Sequence, residues 1–193
     1  NADHVAPNLD EFLFVNDLPR NLSYPKNRIK ILLLENVHPV AFDNLSEDGF
    51  SVELVDSGTM KPVDISQEKG KILFLSIVPS IDTKVCEEQT HYLGEKGDHL
   101  SANVERITIS RDTPFAHRRF AEEAKLTDIR YLSDYREARF GLSTGLLAED
   151  LRLLARSIII IDQAGIVRYI QVVPEQSHLP DMEKAFAFAN SLA

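Results

Sequence analysis

Apolar and polar positions alternate in blocks along most of the chain, and the period within each block predicts its geometry. Residues 72–78, ILFLSIV, are continuously apolar, the pattern of a strand buried on both faces. Residues 29–37 (IKILLLENV), 50–56 (FSVELVD), 104–109 (VERITI) and 129–132 (IRYL) read as further strands. SIIIID at 157–162 is β-branched, and Gly165 turns it toward IVRYIQVV as a hairpin. Between these runs the period lengthens to that of a helix. A polar-rich helix is expected from about Thr83 to about Lys96. A second starts at Thr113-Pro114, an N-cap followed by a first-turn proline, with Phe115/Arg119 and Ala116/Phe120 recurring four apart. YREARFG at 135–141 predicts a short helix stopped by Gly141, and Pro180, Asp181 and Glu183 open a last one with Met182, Phe186 and Ala189 on one stripe. The order predicts an α/β fold with a mixed central sheet and helices on both faces. Residues 1–28, with Pro7, Pro19 and Pro25 and no lasting period, are expected to be an extended arm ahead of a domain at 29–193.

Composition narrows the function classes. A chain of 193 residues can bury a full core without metal or disulfide, and its single cysteine rules out an internal disulfide. The formal charge of -9 disfavours nucleic acid and anionic membrane as partners. No segment reaches the roughly 18 apolar residues that span a bilayer. A soluble protein acting on a small or protein substrate is expected, and one cysteine suits cytoplasm and periplasm alike.

Cys86 is placed where a strand gives way to a helix, the position at which ligands and chemistry gather in α/β sheets. Free amides and the helix dipole there favour a thiolate. An ordinary cysteine ionises near pH 8.5, and lowering that by about 2.5 takes roughly 3.4 kcal/mol. A helix end supplies roughly 0.3 to 1 kcal/mol. A fixed cation or direct hydrogen bonds must therefore contribute. Thr83, one turn earlier, offers a hydroxyl; Pro79 can fix the loop; Arg156, just before SIIII, is either a cation at the mouth of the sheet or a surface residue. On spacing alone, inert buried packing and nucleophilic chemistry both remain open for Cys86. The six histidines are scattered, and Asp112, Asp134 and Asp162 sit beside turns or helix starts, where aspartate has an ordinary capping use.

Four ordered motifs carry a resemblance. Pro79-Ser80-Ile81-Asp82-Thr83-Lys84-Val85-Cys86 is similar to the peroxiredoxin loop, in the form of the thiol peroxidase, or atypical two-cysteine, branch. Ser110 to Ala116, Leu132 to Arg136 with Phe140-Gly141, and Leu153 to Ser157 follow in the same order. The resemblance implies a thioredoxin-like fold over about residues 29–193, with Cys86 as peroxidatic cysteine attacking hydrogen peroxide or an organic hydroperoxide. It implies that Thr83 hydrogen-bonds thiolate and peroxide, that Arg156 stabilises the charge, that Pro79 shields the pocket, and that no metal, haem or flavin takes part. It also implies a homodimer. The branch carries a resolving cysteine after a phenylalanine, yet here Phe120 is followed by Ala121. Either the enzyme is naturally one-cysteine, its sulfenic acid reduced by an external thiol such as thioredoxin, glutaredoxin or a small thiol, or Ala121 replaces a cysteine. A peroxide-sensing regulator, in which oxidised Cys86 controls a partner, is the alternative.

Overall fold

Every residue of β3 (Ile72–Ile77) is buried, as its unbroken apolar run requires of a strand covered on both faces. The computed structural model describes residues 52–148 and 150–193. In it β4 (Val104–Ser110) pairs with β3 in parallel and β8 (Ser157–Ile161) pairs with it antiparallel. Outward from β4 lie β5 (Arg130–Ser133), parallel, then β1 (Glu53–Asp56) and β2 (Pro62–Asp64), both antiparallel; β9 (Val167–Val172) closes the other edge. The seven-stranded mixed sheet thus runs β2-β1-β5-β4-β3-β8-β9. Helices α1 (Lys84–Glu95) and α2 (Pro114–Glu123) are the crossovers that parallel neighbours need. A short α3 (Arg139–Thr144), a two-stranded ladder of β6 (Leu147–Ala148) and β7 (Leu153–Leu154), and the final α4 (Met182–Ser191) complete the described chain.

The pleat divides the core in two. Ile72, Phe74, Ile158 and Ile160 face a cluster completed by Leu93 of α1, Phe120 of α2 and Phe186 of α4. Leu73, Leu75, Ile77, Ile107 and Ile109 face the other, covered by Phe140, Leu147 and Leu154. Helices therefore lie on both sides, as the sequence pattern predicts.

Two expectations change. The short helix starts at Arg139 and ends at Gly145, which takes the left-handed φ of 76°, so Gly141 lies inside it. Gly141 is there for space, since a Cβ would come within 2.7 Å of Leu154. On α2 the buried residues are Pro114, His117, Phe120 and Ala121, while Phe115 is 64% exposed with the Arg118 guanidinium 5.4 Å from its ring. Thr113 accepts from the Ala116 amide, so the cap is as expected, and of the two four-apart pairs Ala116/Phe120 packs on the core while Phe115/Arg119 faces out. β2 and the β6-β7 ladder are too short for the periodicity to reveal. The expected arm at 1–28 and the strand at 29–37 lie outside the described residues; of the strand expected at 50–56, Glu53–Asp56 form β1.

Candidate active site

The chain leaves β3 through Val78, whose amide donates to Ile109 O at 2.9 Å, and turns across the sheet end in residues 79–83. Pro79 is half-buried at the start of this loop, and Ile81, fully buried, anchors its middle in the core. Thr83 is the N-cap of α1, yet its side chain caps no amide. The hydroxyl instead lies 2.8 Å from Cys86 Sγ and 3.1 Å from Ser80 O. A hydroxyl has one proton, so two arrangements exist. With a neutral thiol, S–H donates to Oγ1 and the hydroxyl donates to Ser80 O; with a thiolate, the hydroxyl turns its proton to sulfur. The side chain serves either state without moving its heavy atoms. The first-turn amides of α1 keep no intrahelical acceptor and gain none from Thr83, which leaves the helix end electropositive.

Arg156 arrives from 70 residues away. The antiparallel register pairs Ile77 with Ser157, which sets residue 156 level with the end of β3 and beneath the loop. Arg156 as a residue is 2% exposed, so it is not a surface arginine. Its Nη2 donates to Cys86 Sγ at 3.2 Å, Nη1 to Gln89 Oε1 at 2.8 Å, and Nε to Gln176 O at 3.0 Å. The Arg156 amide also donates to Gln176 Oε1 at 2.8 Å. Among the described residues no carboxylate pairs with this buried cation. Burying a charge without an opposite partner costs several kcal/mol, and neutral amide oxygens only partly offset it. Cys86 Sγ is the one contacting atom able to carry negative charge, and its residue is 0% exposed. The guanidinium thus has the sulfur as its one potential anionic neighbour among the described residues.

Gln89 and Gln176 escaped the sequence reading. Gln89 is fixed in turn, donating to Ser76 Oγ at 2.8 Å. It had a legible signal: Cys86, Gln89, Thr90 and Leu93 form the buried stripe of α1, and polar residues on such a stripe need partners. Gln176 lies in the loop after β9, where no periodicity applies. Lys84, Glu87 and Glu88 are exposed. His91, half-buried on α1, lies 2.8 Å from Glu95 and does not reach the sulfur. Asp134 accepts from the Phe140 and Gly141 amides and Asp162 from those of Ala164 and Ile166, the capping and turn uses expected of them. Burial holds the Asp134 carboxyl up at about 6 against those amides. Asp112 departs from a simple cap: it reaches back to the loop and accepts from Ser80 Oγ and the Ile81 amide, both at 2.8 Å.

A cysteine at the head of a helix, held by a threonine hydroxyl and a buried arginine at the end of a central strand, defines a thiol site of the redoxin type, and the chain belongs to the redoxin family, whose model matches residues 46–186. Within it the chain is similar to bacterial thiol peroxidases. That of Halalkalibacterium halodurans is 41% identical over 132 residues, 68% of this chain and 79% of its own. That of Oceanobacillus iheyensis is 40% identical over 126 residues, covering 65% and 76%. Among solved structures, a peroxiredoxin-like protein from Aquifex aeolicus superposes with a TM-score of 0.69 at 29% identity, over 75% of this chain and 84% of that one. The thioredoxin-like architecture expected from the motifs is thereby established.

Because Thr83 lies within hydrogen-bond reach of the sulfur, Thr83→Val, nearly isosteric without the hydroxyl, is expected to slow oxidation of Cys86 by peroxide. Loss of one such bond corresponds to a factor of about 3 to 10. Stopped-flow oxidation checks this, with Thr83→Ser near the parent rate; a valine variant as fast as the parent removes Thr83 from the site.

Proposed function

We propose that this chain is a thiol-dependent peroxidase that reduces hydrogen peroxide and organic hydroperoxides through Cys86 and is reset by an external thiol. The observation that carries the reading is the buried Arg156 guanidinium, 3.2 Å from Cys86 Sγ and without a carboxylate partner among the described residues. The thiolate attacks one peroxide oxygen; an S–O bond forms as the O–O bond breaks, giving sulfenic acid, while the other oxygen leaves with a proton as water or alcohol. Sulfur loses two electrons and the peroxide gains them. Thr83 and the first-turn amides are positioned to donate to the peroxide oxygens, and Arg156 to stabilise negative charge as the O–O bond stretches. Pro79 shapes and shields the loop. No step calls for a metal or organic cofactor.

The single cysteine directs the second half of the cycle. Ala121, at the position the resemblance gives to a resolving cysteine, is buried on α2 and borders a hollow of about 220 Å³ that also touches Ser57, Arg118 and Tyr131. None of Cys86, Thr83 or Arg156 lines that hollow. A reducing thiol attacks the sulfenic sulfur, water departs, and a second thiol breaks the mixed disulfide. Thioredoxin, glutaredoxin and small thiols are the reductant classes to compare, and a homodimer is the assembly to test by light scattering. The full burial of Cys86 also favours a second reading, a peroxide sensor, since it shelters the sulfenic acid from bulky thiols.

One experiment separates these. Limiting peroxide is added to the protein, the mass of the intact chain is read, and each reductant is then supplied. Multiple turnover with at least one reductant is the expected result. A single stoichiometric oxidation that no thiol reverses favours the sensor, and oxidation no faster than that of a free thiol at equal thiolate fraction overturns both readings.

A further inference from the structure

A chain of polar side chains lies behind the catalytic loop, and the chemistry above does not use it. Asp112, at the end of β4, presents both carboxylate oxygens to its surroundings. Oδ1 accepts from Ser80 Oγ at 2.8 Å; Oδ2 accepts from the Ile81 amide at 2.8 Å and from Ser110 Oγ at 2.6 Å. The donors on the loop are 31 and 32 residues away in sequence, so these contacts tie one sheet end to the segment leading into α1. Ser110 Oγ lies 2.7 Å from His117 Nε2, and His117 Nδ1 lies 2.8 Å from Ser57 Oγ.

The proton order in this chain is fixed by its acceptor end. A carboxylate only accepts, so Ser110 gives its proton to Asp112. His117 must then donate through Nε2–H, and its bare Nδ1 accepts the proton of Ser57. All donors point toward Asp112. His117 is fully buried, and burial pulls its pKa down to about 4 although Asp112 and Asp82 pull the other way, so this neutral tautomer is the form present at neutral pH. On the loop side Ser80, held by Asp112, accepts through its carbonyl from the Thr83 amide at 3.2 Å whatever the state of the sulfur, and from the Thr83 hydroxyl when the sulfur is protonated.

We propose that Asp112 is a positioning residue of the thiol site, fixing through Ser80 and the Ile81 amide the loop that holds Thr83 against Cys86, and itself held by the chain Ser57-His117-Ser110. The inference rests on the peroxidase reading and names how that site is kept in register. A second tether from α2 to the loop, Arg119 to Asp82 at 2.7 Å, has both side chains more than half exposed and contributes little.

The sign of the effect separates positioning from electrostatics. A negative carboxylate near the site opposes formation of a thiolate, so removing its charge alone would increase the thiolate fraction. Loosening the loop does the reverse, because Cys86 drifts from Thr83 and Arg156. Asp112→Ala, Asp112→Asn, Ser80→Ala and Arg119→Ala are compared with the parent by thiolate absorbance at neutral pH, by iodoacetamide alkylation of Cys86 and by stopped-flow peroxide oxidation. Far-ultraviolet circular dichroism confirms folding. Asp112→Ala is expected to lower the thiolate signal and slow oxidation about tenfold, with Asp112→Asn intermediate. Ser80→Ala, which changes no charge and keeps the backbone carbonyl, is expected to slow it about threefold, and it carries the test if Asp112→Ala does not fold. Arg119→Ala is expected at the parent rate. A thiolate fraction at or above the parent in Asp112→Asn, or an unchanged oxidation rate in folded Ser80→Ala, overturns the proposal. Failure of the parent to react with peroxide overturns the peroxidase reading instead, while absorbance and alkylation still report on positioning.

Discussion

Arg156→Met is expected to slow oxidation of Cys86 by roughly 10- to 150-fold, the range corresponding to loss of a charge-assisted hydrogen bond worth about 1.5–3 kcal/mol. Two effects act in the same direction. In the proposed mechanism the sulfur loses its donor 3.2 Å away, and the transition state loses a cation that would offset the charge developing on oxygen. Arg156→Lys is not expected to restore the rate. An ammonium is a compact charge, whereas the guanidinium spans Gln89, Gln176 and Cys86 at once through its planar fork. The methionine variant is expected to lose global stability as well, because Gln89 Oε1 and Gln176 O are left without their donor, so rates are compared on protein shown to be folded. Stopped-flow oxidation with a parallel absorbance titration of the thiolate provides the check. Parent-like rate and titration in the methionine variant would place Arg156 outside the chemistry.

Cys86→Ser is expected to abolish peroxide turnover, since the chain holds no other thiol. A subtler consequence concerns stability. Serine keeps a hydrogen-bonding atom for Thr83 but does not ionise at neutral pH, which leaves the buried guanidinium with neutral partners alone among the described residues. The variant is expected to lose on the order of 2 kcal/mol at neutral pH relative to the reduced parent, less than the roughly 3–5 kcal/mol of breaking a buried ion pair because the amide oxygens remain. Urea unfolding under reducing conditions measures it. Equal stability would mean that the sulfur is not the charge partner of Arg156, and residual catalytic turnover would mean that another group reduces peroxide.

Local signals were legible where one element explains them. The unbroken apolar run of β3, the cap and proline at Thr113-Pro114, and Asp181 accepting from the Lys184 amide at the start of α4 follow from nearest neighbours in sequence. Thr83 beside Cys86 is equally local, for residues three apart share a helix face. Phe115 shows the limit of such reasoning: a large apolar residue at helical spacing faces water while His117 on the same helix is fully buried. Gly141 shows another, because a glycine that packs closely against Leu154 carries the same letter as one that ends a helix.

The sequence by itself determined the order of the longer strands and the helices among the described residues, the position of one thiol at a strand-to-helix junction, and the lack of a second thiol to resolve it. These are properties of composition and short-range periodicity. The tertiary structure alone decided that Arg156 is buried against that thiol, that Gln89 and Gln176 hold its guanidinium, and that Asp112 grips the loop. Each of those contacts joins residues on different elements, brought level by pairings such as Ile77 with Ser157, and register between strands depends on the packing of both sheet faces at once.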